Sequence, residues 1–532
     1  MAGPGTRDRF LLVGGGIASL AAAAFLIRDA GVPGDRIRIL EAAARPGGAL
    51  RSGALADRPD LFLGNAVRAM DEDSCACLWD LLGSVPVLSG ARMSVLDDIR
   101  AAHREAPVHA RARLIGADHR VAEPDPHLDE TDRACLAALL TNGSERELAA
   151  RRVDQVLPAH LLATDFWILW STTYRLGPGS NALDLKTSLM RHLHDLPRLP
   201  TLSGLRRARR SEHQSIIRPL HSWLLGRGVA FTHGATVTDL DFADDGAGGR
   251  RATSLRLTVH GVPDVLELGA HDHVLATLGS IAANAAHGDD EHPPEPGPGR
   301  RDHAWSLWES IARKRPDFGR PDAFTAHVAD TAWLSFTLTS RTPDLTWYIS
   351  HLTGNREGTG GLVTFRDSPW LLTIAVPRQP YFTGQPPGTH TVLGYGMRFD
   401  ARGDHAPVTM LEADGRQVVE ELVGQLGFGR GAAIVRATTS AVSVLLPYAG
   451  SPLSPRAPGD RPEPVPAGAR NFAFLGQFVE IPGHVAFSME YSVLSAMHAV
   501  YGLLGIDREI PRARPDTPDP AAARRALEEV SG

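Results

Sequence analysis

The stretch that decides the fold is RFLLVGGGIASLAAAAFLI, residues 9–27. It is almost wholly apolar, and Arg7 and Arg9 introduce it. Three readings compete: a secretion signal, a membrane span, or a buried strand and helix joined by a tight turn. Gly14, Gly15 and Gly16 decide against the first two, because three glycines would weaken a continuous helix at its centre. They divide the run into a short strand, Phe10–Val13, and an alanine-rich helix, Ala18–Arg28. A second apolar segment, RIRILE, closes on Glu41. Strand, glycine turn, helix, strand and terminal acid, in that order, form a dinucleotide-binding unit.

Each part has a physical task. Gly14 permits the tight turn, and Gly16 lets backbone approach a pyrophosphate. The helix start, at Ile17 and Ala18, offers N–H groups and the positive end of the helix dipole to phosphate. Glu41 is placed to accept from ribose hydroxyls. Ser19 stands where the third glycine of the fingerprint is expected; it is small enough for close helix–strand packing but departs from the pattern.

The 532 residues are 43% hydrophobic and 22% charged, with net charge −6, which predicts a large globular core in several domains and argues against nucleic acid as the main partner. Three cysteines, Cys75, Cys77 and Cys135, have no disulfide-framework or zinc spacing and read as buried thiols. With the first segment given to a nucleotide, no targeting segment remains, and a cytoplasmic protein is expected. No metal site is expected: His192 and His194, two apart on a predicted helix, would not share a face.

Further along, RPGGALRSG (45–53) puts a second glycine pair beside the expected cofactor, as flavoproteins often do. Residues 122–158 look helical, 228–278 read as successive strands, and 332–377 alternate as strands. HDH (271–273) reads as surface. The cofactor-binding elements are scattered through the chain. The expected architecture is therefore α/β: a discontinuous Rossmann-like FAD-binding domain with an inserted β-rich substrate domain and a helical C-terminal part. The divisions drawn are 1–160 for the first FAD-binding part with a lid loop near 65–73, 161–300 for tunnel helices and return strands, 301–440 for the β-rich domain, 441–510 for the strand–helix completing the cofactor site, and 511–532 for a flexible tail.

The segments GGGIASLAAAAFLIRDAGVPGDRIRILE, CLWDLLGSVP, FWILWSTTY, LGSIAANAAHGDD, WSLWESIARK, YAGSPLSPRAPGDRP and FAFLGQFVEIPGHVAFSMEYSVLSAMHAVYGLLG carry a resemblance. Over residues 9–505 the chain resembles the oleate hydratases, or myosin-cross-reactive antigens, FAD-binding proteins that add water to a double bond of a fatty acid. The resemblance implies FAD held by Gly14, Gly16, Ile17, Ala18, Glu41 and Gly48, with Arg68 and Met70 in the lid, Val237 on the adenine side, Thr277, Gly279 and Ser280 along the cofactor, and Gly476, Phe487 and Ser488 closing over the ring. It implies a long-chain unsaturated lipid substrate, with Arg456, Tyr448 and Trp170 as candidate contacts. It also implies docking through a C-terminal amphipathic segment. AAARRALEEV is short and carries both charge signs, so only weak membrane-surface contact is expected. Monomer and homodimer both remain open.

The reactive positions depart from that family. Its lid signature Arg-Gly-Gly-Arg-Glu-Met is matched by Asn65, Ala66, Val67, Arg68, Ala69 and Met70, so the glutamate assigned to water activation is Ala69. The tyrosine assigned to proton donation is His213. Gly450 and Pro452 replace the carboxylate-binding residues, and Leu176, Gly177, Pro178 and Gly179 replace an aromatic segment. His213, with an ordinary pKa near neutrality, reads either as the proton-transfer residue or as a packed histidine. Asp71, Glu72 and Glu480 are candidate second groups or solvated and capping acids. The expected activity is hydration with the flavin not consumed. The alternatives are isomerisation or cyclisation of an isoprenoid or polyene begun by alkene protonation, a non-catalytic flavin-bound lipid carrier, and a conventional flavin oxidoreductase.

Overall fold

A computed structural model describes residues 7–64, 68, 70–125, 128–141, 143–295, 302–513 and 525–526. The decisive stretch lies at the centre of the molecule. Strand Arg9–Val13 pairs in parallel with Ile37–Glu41 on one side and Asp272–Thr277 on the other. Ala230–His233 extends the sheet beyond the first and Phe472–Leu475 beyond the second, again in parallel. Five strands from remote parts of the chain thus make one parallel sheet, the discontinuous Rossmann-like core.

Helix Ile17–Arg28 is apolar nearly all round, and Ile17 to Leu26 are buried. It needs no membrane, because the C-terminal helix Met489–Leu504 packs along it and both helices belong to one buried apolar cluster. Ala21, Ala22, Ala23 and Ala24 are each at most 1% exposed and point to nearly every side of the helix, so their small size lets its neighbours pack closely all round. Among the described residues, no helix is long and apolar enough to cross a membrane.

A three-stranded antiparallel sheet, Ala235–Asp244, Arg250–Val259 and Val262–Glu267, flanks this core. A larger mixed sheet of eight strands forms the β-rich part. Its centre is Trp333–Ser340 between Thr439–Leu446 and His390–Gly396, and every residue of the first two strands is buried. Continuous burial on both faces explains their unbroken apolar and Thr/Ser character. This sheet also takes in Leu114–Ile115, Val121–Ala122 and Ala286–Gly288.

Several local expectations need correction. Residues 332–377 are not all strand, since Asp344–Thr353 is a helix with Leu345, Thr346 and Ile349 buried. The helical reading of 122–158 holds for Glu130–Thr141 and Glu145–Ala150, while Val121–Ala122 is a strand. In HDH, His271 is exposed, but Asp272 is buried and paired with Arg9 at 2.7 Å. Cys75 and Cys77 are buried and Cys135 half-buried. The lid positions Asn65, Ala66, Val67 and Ala69 lie outside the described residues, as does most of the tail.

Candidate functional site: a nucleotide cleft joined to an apolar cavity

Above the carboxyl ends of the parallel strands lies a cleft enclosing about 1200 Å³. Its floor is the glycine turn. Gly14 adopts φ +92°, a left-handed conformation natural only to glycine. The Gly15 N–H donates to Glu41 Oε2 and the Ala43 N–H to Oε1, at 2.5 and 2.7 Å. A Cβ on Gly15 would stand 2.6 Å from Glu41 Oε2, so the missing side chain is what lets the acid reach the turn. Gly16 caps helix Ile17–Arg28 with no side-chain cap, and the first turn carries no acid. The N-terminal N–H groups there are left to serve an anion.

Ser19, the departure from the fingerprint, is fully buried. Its hydroxyl lies 3.1 Å from Thr277 Oγ1 and 3.4 Å from Val13 O, tying the helix to two neighbouring strands. The Gly47–Gly48 loop closes on the turn through Gly47 N–H to Gly15 O at 2.8 Å. Of the expected cofactor contacts, Gly14, Gly16, Ile17, Ala18, Glu41, Gly48, Arg68, Val237, Thr277, Gly279, Ser280, Gly476 and Ser488 line this cleft. Met70 and Phe487 line a second cavity instead.

That cavity, about 1250 Å³, shares Arg68, Ser488 and Met489 with the cleft. Met70, Leu78, Leu202, Leu205, Leu362, Val485 and Phe487 give it an apolar wall. A polar cluster interrupts that wall. Asp71 accepts from Ser74 N–H at 2.9 Å and from His194 Nε2 at 3.0 Å. His192 Nδ1 lies 3.8 Å from both Asp71 and Asp195, and its ring lies 4.3 Å from that of Tyr174, tilted by 31°; the Tyr174 hydroxyl donates to Asp195. Burial opposes charge on Asp71, yet His194, Ser74 and His192 hold its carboxyl down at about 2. Burial likewise opposes charge on His194, and Asp71 outweighs it and raises the imidazole. Burial, with Asp195 and Asp71, pushes the Tyr174 phenol well up.

This cluster corrects the reading of His192 and His194. Helix Ala182–Arg191 ends at His192, and Leu193–Arg198 continues as a tighter 3₁₀ turn. The change of pitch brings both rings to Asp71. Asp71, His192 and Asp195, or Asp71, Asp73 and His194, offer ligand atoms close enough for a metal ion, although His194 already donates to Asp71 directly.

Glu490 also faces the cavity, a role that nothing in its own segment signals. Its carboxylate accepts from Cys77 N–H and Leu78 N–H at 2.9 and 2.7 Å, capping helix Ala76–Ser84 from a distance of over four hundred residues in the chain. Burial raises its carboxyl and these two bonds pull it back, leaving it at about 7.

Of the four acid–base candidates, Asp71 is the one that lines either cavity. His213 is packed behind Gly47 in the π turn His213–Ile217. Burial, and then Arg45, Arg218 and Arg51, bring it down to about 4, so the imidazole is neutral at pH 7. Glu72 pairs with Arg206 at 2.7 Å and with Arg100 at 3.3 Å. Glu480 lies 3.5 Å from Arg456. The substrate contacts fare similarly: Arg456 is committed to buried Asp184 at 2.9 Å, Tyr448 packs on Trp305, and Trp170 is buried against Tyr174.

A family model described as the MCRA family matches residues 8–501. The chain belongs to the MCRA family. This MCRA chain is 30% identical over 512 residues to an oleate hydratase of Streptococcus pyogenes serotype M49 (strain NZ131), covering 94% of this chain and 86% of that protein. It is 25% identical over 543 residues to a linoleate hydratase of Lactiplantibacillus plantarum, covering 94% of each. Among solved structures, the MCRA fold resembles cyclohexylamine oxidase from Brevibacterium oxydans IH-35A, with TM-score 0.55 at 13% identity, covering 94% of this chain and 99% of that one. Putrescine oxidase bound to putrescine gives TM-score 0.53 at 13% identity, with the same coverage. These last two likenesses concern the fold alone.

Proposed function

We propose that this MCRA protein is an FAD-dependent hydratase that adds water across a carbon–carbon double bond of a long-chain unsaturated fatty acid without consuming the flavin. One observation carries the reading: the cleft over the glycine turn adjoins a second cavity of similar size, with Arg68, Ser488 and Met489 lining both. The hydratase relatives support the substrate class.

The cleft residues fit FAD. The uncapped helix start and the glycine turn suit its diphosphate, and Glu41, already aimed at the turn, suits a ribose. Bound there, the flavin would, when reduced, supply negative charge to offset a developing cation.

The protein's own residues divide the acid–base work. Glu490, titrating near neutrality, is the proton donor to one alkene carbon. Asp71, ionised and held by His194 and Ser74, orients water towards the other carbon. The oxonium formed by that attack is far more acidic than a carboxylic acid, so its proton passes to Asp71 and on to solvent, and solvent returns a proton to Glu490. Nothing is oxidised or reduced. Arg68 and Met70 border the cavity in the lid, and Phe487 and Ser488 border it from the loop before the C-terminal helix.

The test is to offer oleic and linoleic acids to the purified chain with and without FAD and to weigh the product. A gain of one water that requires FAD is expected. An unchanged mass with a rearranged double bond or ring would replace hydration by isomerisation or cyclisation, and loss of two hydrogens would indicate an oxidase.

A further inference from the structure

Glu212 is a buried carboxylate outside the proton-transfer path, and remote segments of the chain meet on it. Its Oε1 accepts from the backbone N–H of Arg68 at 3.2 Å, and its Oε2 accepts from the Tyr381 hydroxyl at 3.4 Å. Tyr381 is itself fixed: its N–H donates to Gln385 Oε1 at 3.0 Å, and its carbonyl accepts from Ser211 N–H at 3.3 Å. The Ser211 hydroxyl accepts from that of Ser52 at 2.9 Å, which ties the same segment to the chain just after the Gly47–Gly48 loop. Two smaller cavities flank the carboxylate. One is lined by Ala49, Leu50 and Arg51, which also line the cofactor cleft, and the other by Arg207, which also faces the second cavity. Arg68 lines all four spaces.

The charges in this wall are coupled. Burial lowers the guanidinium groups of Arg68, Arg175 and Arg207, and the charge of Glu212 opposes that in each of the three. Arg68 also repels Arg175. Burial raises the Glu212 carboxyl, while backbone hydrogen bonds, the Arg68 charge and the Tyr381 hydroxyl act to lower it. Burial, and then Glu212, pushes the Tyr381 phenol well up, so it donates as a neutral group. A buried carboxylate held by two hydrogen bonds among guanidinium groups is stable where it is and costly to disturb. Its removal would leave the positive charge of the shared wall less offset.

We propose that Glu212 is a positioning residue for the flavin: it clamps the backbone at Arg68, and its negative charge, offsetting Arg68, Arg175 and Arg207, sets the balance between oxidised and reduced flavin in the cleft. The assignment rests on the part of the hydratase reading that places FAD in the cleft, and not on the identity of the lipid. Tyr381 serves it by holding the carboxylate against the Arg68 N–H.

The test uses the full FAD-loaded chain, with dithionite as reductant and a reference dye to read the midpoint potential of the bound flavin. Reduction adds two electrons and one proton, so the reduced flavin carries one more negative charge than the oxidised form. Glu212→Gln keeps the side-chain length and an oxygen acceptor but removes the charge, and its flavin is expected to reduce at a more positive potential than in wild type. Glu212→Asp keeps the charge but draws the carboxylate back from the Arg68 N–H. It is expected to hold the potential near that of wild type and to weaken FAD binding about tenfold, the scale of a hydrogen bond to a charged group. A merely structural role would lower the melting temperature of both variants without moving the potential of the loaded protein. An unmoved potential in folded, FAD-loaded Glu212→Gln would overturn the counter-charge, and a Glu212→Asp chain with undiminished FAD affinity would overturn the clamp. Because Glu212→Asp retains the buried charge, it keeps the assignment testable if Glu212→Gln does not fold. If wild type takes up no FAD, the cofactor reading falls; if it takes up FAD and both variants match it, only the assignment to Glu212 falls.

Discussion

At Gly15 one methyl group separates a working nucleotide turn from a blocked one. A Cβ there would meet Glu41 Oε2 at 2.6 Å, so the carboxylate must swing away from the turn to admit it. Gly15→Ala is expected to reduce bound flavin at least roughly tenfold with little loss of fold, measured as flavin absorbance per protein. Asp71 gives a second prediction. Its carboxyl is held below its ordinary range, so it stabilises the folded chain above pH 4 and loses that contribution as pH falls through about 2. Asp71→Asn should cost about 2 kcal/mol in denaturant unfolding at pH 6, with the gap to wild type closing in acid, and should abolish hydration. At this scale the sequence was legible where local spacing carries the pattern, in the glycine turn and Glu41, and Thr277 and Gly279, expected from the family resemblance, line the same cleft. His192, Tyr174 and Glu490 were not legible, because each is ordinary in its own segment and gains meaning only from partners elsewhere in the chain.

Among the elements, two helices govern the site. Helix Ile17–Arg28 reads from sequence as a dinucleotide helix, and its alanines suit burial on nearly every side, with the C-terminal helix Met489–Leu504 packed along it. Ala22→Leu would overpack that contact and should cost about 1–3 kcal/mol of stability by denaturant unfolding, loosening the flavin as well. The C-terminal helix also delivers Glu490 to the start of helix Ala76–Ser84. Because burial raises this acid to about 7, the folded chain holds a proton that the unfolded chain releases nearer pH 4.5. Stability should therefore decline between those values as pH rises, by up to about 3 kcal/mol, and hydration should fall above pH 7 as the donor ionises. Glu490→Gln should flatten the stability profile and remove turnover; a pH–rate curve that rises steadily above 7 would assign the proton to another group. The helix Asp344–Thr353, read from sequence as strand, shows where local pattern fails: its apolar residues satisfy both periods, and packing against the large sheet selects the helix.

For the whole molecule, the parallel sheet assembled from five distant strands places the nucleotide cleft at their carboxyl ends, and the inserted segments build the apolar cavity beside it. The α/β class and the scattered cofactor elements were readable from the glycine turn and its repeats. The junction was not, since it depends on Arg68 meeting the loop at Ser488 and Met489 across the fold. The account's central claim is that flavin and fatty acid share this junction. Titrating oleate into the FAD-loaded chain while recording the flavin's visible absorption tests it most directly. A spectral shift that saturates together with the rate of hydration is predicted; oleate binding that leaves the flavin spectrum unmoved would place the two ligands apart and contradict it.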